Sequence, residues 1–340
     1  MSVSIDTVGI IANPSSGKDI RRLVAFATTV DNQGKVNILR RALVGLGRAG
    51  IKRVVYMPDS HQMVQRASEG LGHIRIPLPS LEPLDMPVTS RSEDSALAAN
   101  LLRGMGVGCM IVLGGDGTVR AVSKGCGKVP LLAVSTGTNN VLPEFVEGTI
   151  AGLASGYIAT GQVPLAEGAR RHKWLEFRRN GSEADRALVD IAVLHGQFTG
   201  ARAIWDVSDM LQVLVTRADP ANIGISAIAA MVHQLATDDP RALVLEIDPT
   251  AETSVMAAFG PGLIGRVGIA GARWLREGEA IRLPERRPLM LALDGEREQV
   301  LRAGDEGEFV LHTDGPWLVD ASRTMRYAAA QLALCLPGFD

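Results

Sequence analysis

A Gly-Gly-Asp-Gly-Thr segment at residues 114–118 has the residue types and the spacing needed to hold a phosphate group. It follows a short apolar run at 109–113 that is typical of a buried strand, and the residues after it favour the first turns of a helix. A glycine-rich turn between a strand and a helix directs backbone N–H groups at a phosphate, and Thr118 can cap the helix.

Asp116 is the unusual member of this turn, because a carboxylate repels a phosphate unless it holds a metal ion or takes a proton. Its presence therefore indicates phosphoryl transfer from a nucleotide and not simple nucleotide storage. A simpler interpretation stays open, in which Asp116 only bonds its own backbone within a tight strand-to-helix turn.

Two further segments show the same pattern of a strand-like run followed by a polar turn. Asn-Pro-Ser-Ser-Gly-Lys occupies residues 13–18, and Ser-Thr-Gly-Thr-Asn-Asn occupies residues 135–140. Ligands of α/β sheets gather at the carboxyl ends of the strands. The three turns are therefore predicted to converge on one crevice.

With these three turns in this order, the chain resembles the superfamily that contains NAD kinases, diacylglycerol kinases and sphingosine kinases. Residues 124–140 are most similar to the acetoin catabolism protein X branch of the NAD-kinase-like proteins. The resemblance implies an ATP-dependent kinase, linked to acetoin catabolism, that phosphorylates a hydroxyl of a nucleotide-like or other polar acceptor. It also implies Mg²⁺ as a cofactor, since ATP-type donors travel with this ion.

The resemblance assigns roles to individual residues. Asp116 is expected near the acceptor hydroxyl as the catalytic residue, either a general base or a positioning group, while Asn140 and Asp190 are expected to bind the acceptor. Lys18 and Arg120 are expected to be cations near the phosphates, although both also suit a solvated surface. The residues expected to bind ATP are Asn13, Ser16, Lys18, Gly114, Gly115, Gly117, Thr118, Arg120, Thr136, Gly137, Thr138 and Asn139.

The predicted acceptor site departs from that of NAD kinases. The Asn-acid pair of NAD kinases corresponds here to Val189-Asp190, so the acidic residue is present and the Asn is replaced by Val. The nucleoside-binding segment of those enzymes corresponds to residues 222–227, which lack its threonines and its tyrosine. A site without these groups would bind NAD weakly or differently. A non-catalytic nucleotide-binding regulator and a lipid kinase therefore stay open as alternatives. Asp294-Gly295-Glu296 is similar to the Asp-Gly-Glu of lipid kinases, but we favour an ordinary hairpin turn there.

The alternation of strand-like and helix-like segments over residues 1–140 predicts an α/β domain with a doubly wound, mostly parallel sheet that binds the nucleotide phosphates. Residues 141–321 are predicted to form a β-rich domain for acceptor binding and oligomerisation, which includes a hairpin at Asn180-Gly181. Residues 322–340 are predicted to be a helix that returns to the first domain.

Two details of the first domain are less regular. A short third strand is predicted at 74–76, followed by a proline-rich loop at 77–87, and the loop at 31–35 is predicted to be mobile.

Composition excludes several classes of function. A net charge of −2 and few aromatic residues argue against nucleic acid as a partner. Three widely spaced cysteines suggest a reducing compartment, and no leader or bilayer-spanning run is evident, so we expect a cytoplasmic protein without stable membrane association. The resemblance to NAD kinases further implies a homo-oligomer, with 223–235 and 259–269 as the apolar segments that could form the interface.

Overall fold

The computed structural model describes residues 5–16, 30–75, 77–137, 140–196, 207–283 and 288–332. The helices are α1 (Asn32–Arg48), α2 (Met63–Ser68), α3 (Ser92–Gly104), α4 (Asp116–Ser123), α5 (Gly148–Ala159), α6 (Leu165–Gly168), α7 (Ile225–Ala230) and α8 (Ala321–Leu332). The strands are β1 (Thr7–Ala12), β2 (Arg53–Tyr56), β3 (Ser80–Pro83), β4 (Cys109–Gly114), β5 (Leu131–Ser135), β6 (Ala169–Arg171), β7 (Trp174–Arg179), β8 (Ser182–Ala187), β9 (Asp190–His195), β10 (Met210–Val215), β11 (Ala242–Ile247), β12 (Ser254–Gly260), β13 (Leu263–Leu275), β14 (Ala280–Arg282), β15 (Leu289–Leu293), β16 (Glu296–Leu301), β17 (Gly307–His312) and β18 (Trp317–Val319).

The first domain is built on a seven-stranded sheet in the order β3-β2-β1-β4-β5-β18-β6. Its strands run parallel from β3 through β18, and only β6 is antiparallel to its neighbour. All six residues of β1 and of β4 are buried, as expected for central strands covered by helices on both faces. The predicted α/β domain with a mostly parallel sheet is therefore confirmed.

The second domain consists of two antiparallel sheets, in the orders β12-β13-β11-β10-β9-β15-β16 and β14-β17-β7-β8. The β7–β8 turn at Asn180-Gly181 has φ angles of 50° and 80°, which match the two-residue hairpin turn that this dipeptide predicts. The predicted β-rich character of this part of the chain is confirmed as well.

Two segments of the first domain differ from the sequence-based expectation. The third strand is β3 and lies in the predicted proline-rich loop, whereas residues 74 and 75 form no strand. Among the described strands, β3 pairs with β2 alone, so it is an edge strand that tolerates Pro83. Residues 32–35 belong to α1, because the Asp31 carboxylate caps that helix by accepting from the Gly34 N–H.

Helix α5 belongs to the core of the first domain, although we expected the second domain to begin at residue 141. It packs directly on α1, since a Cβ atom at Gly45 or Gly152 would overlap the backbone of the opposite helix. Helix α8 in turn packs on α5 and α6. None of the described helices has the length and hydropathy needed to cross a membrane.

Candidate functional site

The turns that follow β1, β4 and β5 meet at the carboxyl edge of the first sheet. The Asn13 side-chain amide donates a hydrogen bond of 3.0 Å to Thr118 Oγ1, which joins the first turn to the second. The Thr136 hydroxyl donates a hydrogen bond of 3.0 Å to Ser16 Oγ, which joins the third turn to the first. The structure therefore brings four of the predicted phosphate-binding residues into one polar cluster.

Lys35, which the sequence reasoning missed, lies beneath this cluster. Its side chain is fully buried, and its ammonium group donates to the carbonyl oxygens of Asn13 at 2.9 Å and Ser16 at 2.7 Å. These bonds hold the backbone of the first turn and place a positive charge next to it. The lysine was overlooked because its position was predicted to be a loop, so its side chain had no predicted direction.

Asp116 is the first residue of α4, and its side chain is buried. One carboxylate oxygen accepts from the Val141 N–H at 2.9 Å, and the other accepts from the Leu142 N–H at 2.8 Å. The carboxylate thus does more than bond its own turn, because it holds the segment that leads from the first sheet toward α5.

Asp116 also lines a narrow crevice between the two domains, which we call the Asp116 crevice. Its walls combine three carboxylates with apolar side chains and a glycine-containing turn of the β-rich domain. The lining residues are Asp116, Val141, Val189, Asp190, Ile223, Gly224, Ile225, Phe259, Gly260, Pro261, Leu263, Asp294 and Gly295. Asp190 and part of 222–227, which the sequence resemblance assigns to the acceptor site, therefore face the same space as Asp116.

Asp294 is one of the residues with which the second domain lines the crevice. It occupies the β15–β16 turn with a φ of 49°, and its carboxylate accepts from the N–H groups of Leu188, Val189 and Asp190. Complete burial raises the pKa of Asp294, and the Arg120 guanidinium opposes that rise. The predicted hairpin turn is present, and its aspartate also fixes the backbone that carries Asp190.

Arg120 has a different environment from the one expected for a phosphate-binding cation. It is buried, with Nη1 3.5 Å from an Asp185 oxygen and Nε 3.6 Å from an Asp294 oxygen. Lys124, one helical turn later, places its Nζ 2.6 Å from the other Asp185 oxygen. These ion pairs hold α4 against the β-rich domain, and Arg120 therefore lies where the two domains meet.

Comparison with known proteins gives one consistent family. The ATP-NAD kinase N-terminal domain matches residues 8–163, and the acetoin catabolism protein X C-terminal domain matches residues 173–314. Acetoin catabolism protein X from Cupriavidus necator is 40% identical over 330 residues, which cover 94% of this chain and 92% of that protein. The chain belongs to the acetoin catabolism protein X family. The resemblance stated from the sequence motifs is therefore confirmed.

The fold of this member of the acetoin catabolism protein X family is similar to that of a solved kinase. The crystal structure of yeast NADH kinase in complex with NADH superposes with a TM-score of 0.53, at 16% sequence identity. The superposition covers 99% of this chain and 90% of that chain. At this level of identity the comparison supports the NAD kinase-like fold alone.

The remaining predicted residues of this family member lie in three different places. Asn140 donates to Ser135 Oγ at 2.8 Å and to the Gly137 carbonyl at 3.3 Å, and a Cβ atom at Gly115 would lie 2.8 Å from Asn140 Oδ1. Asn140 therefore bonds the third turn and lies against the second turn. It is not among the residues that line the Asp116 crevice. Gly114 ends β4 and Gly117 lies in the first turn of α4. Lys18, Thr138 and Asn139 lie outside the described residues.

The described residues contain no cluster of three His, Cys, Asp or Glu side chains that could hold a metal ion by itself. Mg²⁺ in phosphoryl-transfer sites usually keeps several waters and binds phosphate oxygens together with one or two carboxylates. Asp116 and Asp190, which line the crevice, are carboxylates that an ion arriving with the nucleotide could use.

Proposed function

We propose that this protein is an ATP-dependent phosphotransferase that phosphorylates a hydroxyl group of a polar, nucleotide-like acceptor. The observation that carries the proposal is the position of Asp116. Its backbone begins α4 at the second of the three joined turns, and its side chain lines the Asp116 crevice. One residue therefore connects the turns predicted to bind phosphate with a crevice of about 30 Å³, which must widen to admit a second substrate.

The joined turns would hold the donor phosphates. The first N–H groups of a helix have no acceptor within the helix, so the start of α4 favours an anion. The hydroxyl and amide groups of Asn13, Ser16, Thr118 and Thr136 surround the same edge of the sheet. The buried ammonium of Lys35 adds a positive charge behind them. Bound Mg²⁺ would supply further neutralisation of the phosphates.

The acceptor hydroxyl would approach from the crevice. Its oxygen forms a bond to the γ-phosphorus, the bond from that phosphorus to the β,γ-bridging oxygen breaks, and ADP leaves. The hydroxyl proton passes to the Asp116 carboxylate or, with Asp116 as the positioning group, to water. Positioning of the two substrates would supply much of the rate enhancement.

The lining of the crevice favours an acceptor with several hydroxyls and one flat, apolar face. Asp190 can accept hydrogen bonds from hydroxyl groups, whereas Ile223, Phe259 and Leu263 provide apolar contact surface. By the resemblance to NAD kinases, Val189 corresponds to their Asn, which would leave this site with fewer polar groups than one built for NAD. A nucleoside-like molecule smaller than a dinucleotide has this chemistry, and its entry requires the crevice, which measures about 30 Å³ in this structure, to widen.

A second function is favoured by one specific observation. Both carboxylate oxygens of Asp116 accept backbone N–H groups of the segment that leads toward α5. Asp116 would then have a structural role in place of a catalytic one. The protein would in that case be a nucleotide-binding regulator, active in the catabolic setting that its relative's name states.

A thermal-shift screen of nucleotides and dinucleotides, followed by transfer assays with γ-labelled ATP, distinguishes these functions. The acceptors should include hydroxylated nucleosides, NAD and a diacylglycerol in micelles. Stabilisation by ATP with label transfer to a polar acceptor supports the kinase. Stabilisation without transfer supports the regulator, and transfer to the diacylglycerol alone supports a lipid kinase.

We also propose that the chain forms a homo-oligomer through the β12–β13 hairpin. Of the two apolar segments predicted for the interface, 223–235 contains the buried helix α7 and exposes Met231 at 49%. The segment 259–269 exposes Ile264 at 69%, and the paired strand β12 exposes Met256 at 58%. The turn of this hairpin also lines the Asp116 crevice. Light scattering should show an assembly larger than one chain, and Ile264→Asp should reduce it to a monomer.

A further inference from the structure

A second space in the molecule is not used by the proposed reaction. It is a cavity of about 300 Å³ between the β5–β18–β6 edge of the first sheet and loops of the β-rich domain, and we call it the His172 cavity. No described residue lines both this cavity and the Asp116 crevice. The lining residues are Leu132, Ala133, Leu142, Glu144, Val146, Arg170, His172, Arg217, Thr237, Asp238, Leu318, Val319, Asp320 and Ala321.

The charged groups around this cavity are of both signs and are loosely paired. Arg170 lies 3.8 Å from Asp238, and Arg217 lies 3.7 Å from Asp219, in pairs that are partly or largely accessible to solvent. Such long, accessible ion pairs are weak, so both guanidinium groups can turn toward a bound anion. The acids Glu144 and Asp320 also line the cavity, and they suit a bound cation.

His172 adds a buried acceptor to this wall. Its Nε2 lies 2.9 Å from the Leu188 carbonyl oxygen, so Nε2 carries the proton and Nδ1 has the lone pair. Burial lowers the pKa of His172 to about 4, which keeps the ring neutral. Nδ1 is buried and has no hydrogen-bond partner among the described residues. A buried acceptor without a donor is unfavourable, and a donor group brought into the cavity, with a small shift of the ring, would remove that cost.

We infer that the His172 cavity binds a free α-amino acid with an apolar side chain. The carboxylate would lie against Arg170 and Arg217, and the ammonium group would donate to His172 Nδ1 and the neighbouring acids. The side chain would contact the apolar wall that Leu132, Leu142 and Leu318 form in part. A zwitterion with an apolar side chain contacts the arginines, the acidic residues and the apolar wall at once. A simple anion would leave the acidic residues without a partner, and a simple amine would leave the arginines without one.

The cavity is connected to the Asp116 crevice by two backbone segments. Val141 donates its N–H to Asp116, and its carbonyl accepts from Arg217 at 3.4 Å. Leu188 donates its N–H to Asp294, and its carbonyl accepts from His172. A ligand that moves Arg217 or His172 therefore acts on the two peptide segments that the crevice carboxylates hold. Binding of a ligand in the cavity therefore changes the conformation of these two backbone segments.

Isothermal titration calorimetry of the full chain tests the site directly, without nucleotide. L-leucine, L-methionine and L-phenylalanine are the probes, and 4-methylpentanoate and 3-methylbutylamine are leucine analogues that lack one charged group. At least one amino acid should bind at a single site, and each analogue should bind tenfold or more weakly than L-leucine. Absence of binding by all three amino acids, or an analogue that binds as well as L-leucine, overturns the inference.

Two variants test whether the amino acid binds in the His172 cavity. Ala133→Phe should fill it and Arg217→Gln should remove a carboxylate partner, so each should weaken binding at least tenfold. Arg282→Gln, an exposed arginine on β14, is the matched control and should bind normally. Unchanged affinity in both cavity variants overturns the assignment.

Hydrogen–deuterium exchange tests the connection between the two spaces. With saturating amino acid, peptides that cover 141–142 and 187–190 should exchange more slowly, while peptides of α3 should not change. Unchanged exchange at both segments overturns the connection. Neither test depends on the proposed phosphotransfer activity, so the two accounts can fail separately.

Discussion

The guanidinium Nε of Arg120 lies 3.6 Å from an Asp294 carboxylate oxygen, and both side chains are buried where the two domains meet. Arg120 is part of α4, the helix that begins with Asp116, and Asp294 holds the backbone of Leu188, Val189 and Asp190. This pair therefore sets the position of the second-domain wall of the crevice relative to Asp116.

Arg120→Met should destabilise the protein by about 3–5 kcal/mol near neutral pH, because it leaves the Asp294 carboxylate buried without its cation. Urea unfolding followed by circular dichroism measures the change. Lys52→Met is the control, since it removes only an exposed ion pair with Asp6 and should change stability by less than about 1 kcal/mol. Equal losses in the two variants would contradict a structural role for the buried pair.

The loss in Arg120→Met should also depend on pH. Burial raises the pKa of Asp294, so the stability that this carboxyl contributes is fully present below its unfolded pKa of about 3.9 and is lost as the pH rises through the folded pKa. Removal of Arg120 raises the folded pKa further. The difference from wild type should therefore be smallest near pH 4 and should grow toward neutral pH. A difference that stays constant over this range would show that Asp294 does not cause it.

Gly115→Ala should weaken nucleotide binding about tenfold, because the added Cβ would lie 2.8 Å from Asn140 Oδ1 and displace the third turn. Overpacking of this kind also costs about 1–3 kcal/mol of stability. Gly104→Ala, where the structure leaves open space around the new methyl group, is the control. Calorimetric titration with ATP compares the variants, and normal ATP affinity in Gly115→Ala would refute the assignment of this turn.

Lys35→Met should raise the KM for ATP more than it lowers kcat, because it releases the carbonyl groups of Asn13 and Ser16 and removes a positive charge behind the phosphates. Arg40→Met provides a matched control on the same helix, since Arg40 bonds the carbonyl groups of Arg66 and Ala67 away from the site. Steady-state kinetics should separate the two variants. An equal effect of both on KM would indicate that Lys35 has only a structural role.

The convergence of the turns after β1, β4 and β5 could be predicted from sequence because each turn follows a strand of a parallel sheet, and the carboxyl ends of parallel strands share one edge. The contribution of Lys35 could not be predicted, because it depends on a helix start set by the Asp31 cap in a segment that had no clear periodicity.

The burial of Arg120 was not foreseen either, because its partners Asp185 and Asp294 are distant in the chain and only the packing of the domains brings them to α4. The edge strand β3 was missed for a related reason. Its strand character comes from pairing with β2 and not from the local sequence, which contains Pro83.

Transfer of labelled phosphate from γ-labelled ATP by wild type and by Asp116→Asn tests the central claim most directly. Asp94→Asn is the matched control, because Asp94 is as buried as Asp116 and its carboxylate also accepts two consecutive backbone N–H groups, those of Thr89 and Ser90. We predict that wild type and Asp94→Asn label a polar hydroxylated acceptor, and that Asp116→Asn does so about 10²–10⁴-fold more slowly while it still binds ATP. Undiminished transfer by Asp116→Asn, or ATP binding by wild type without transfer to any acceptor, would contradict the account.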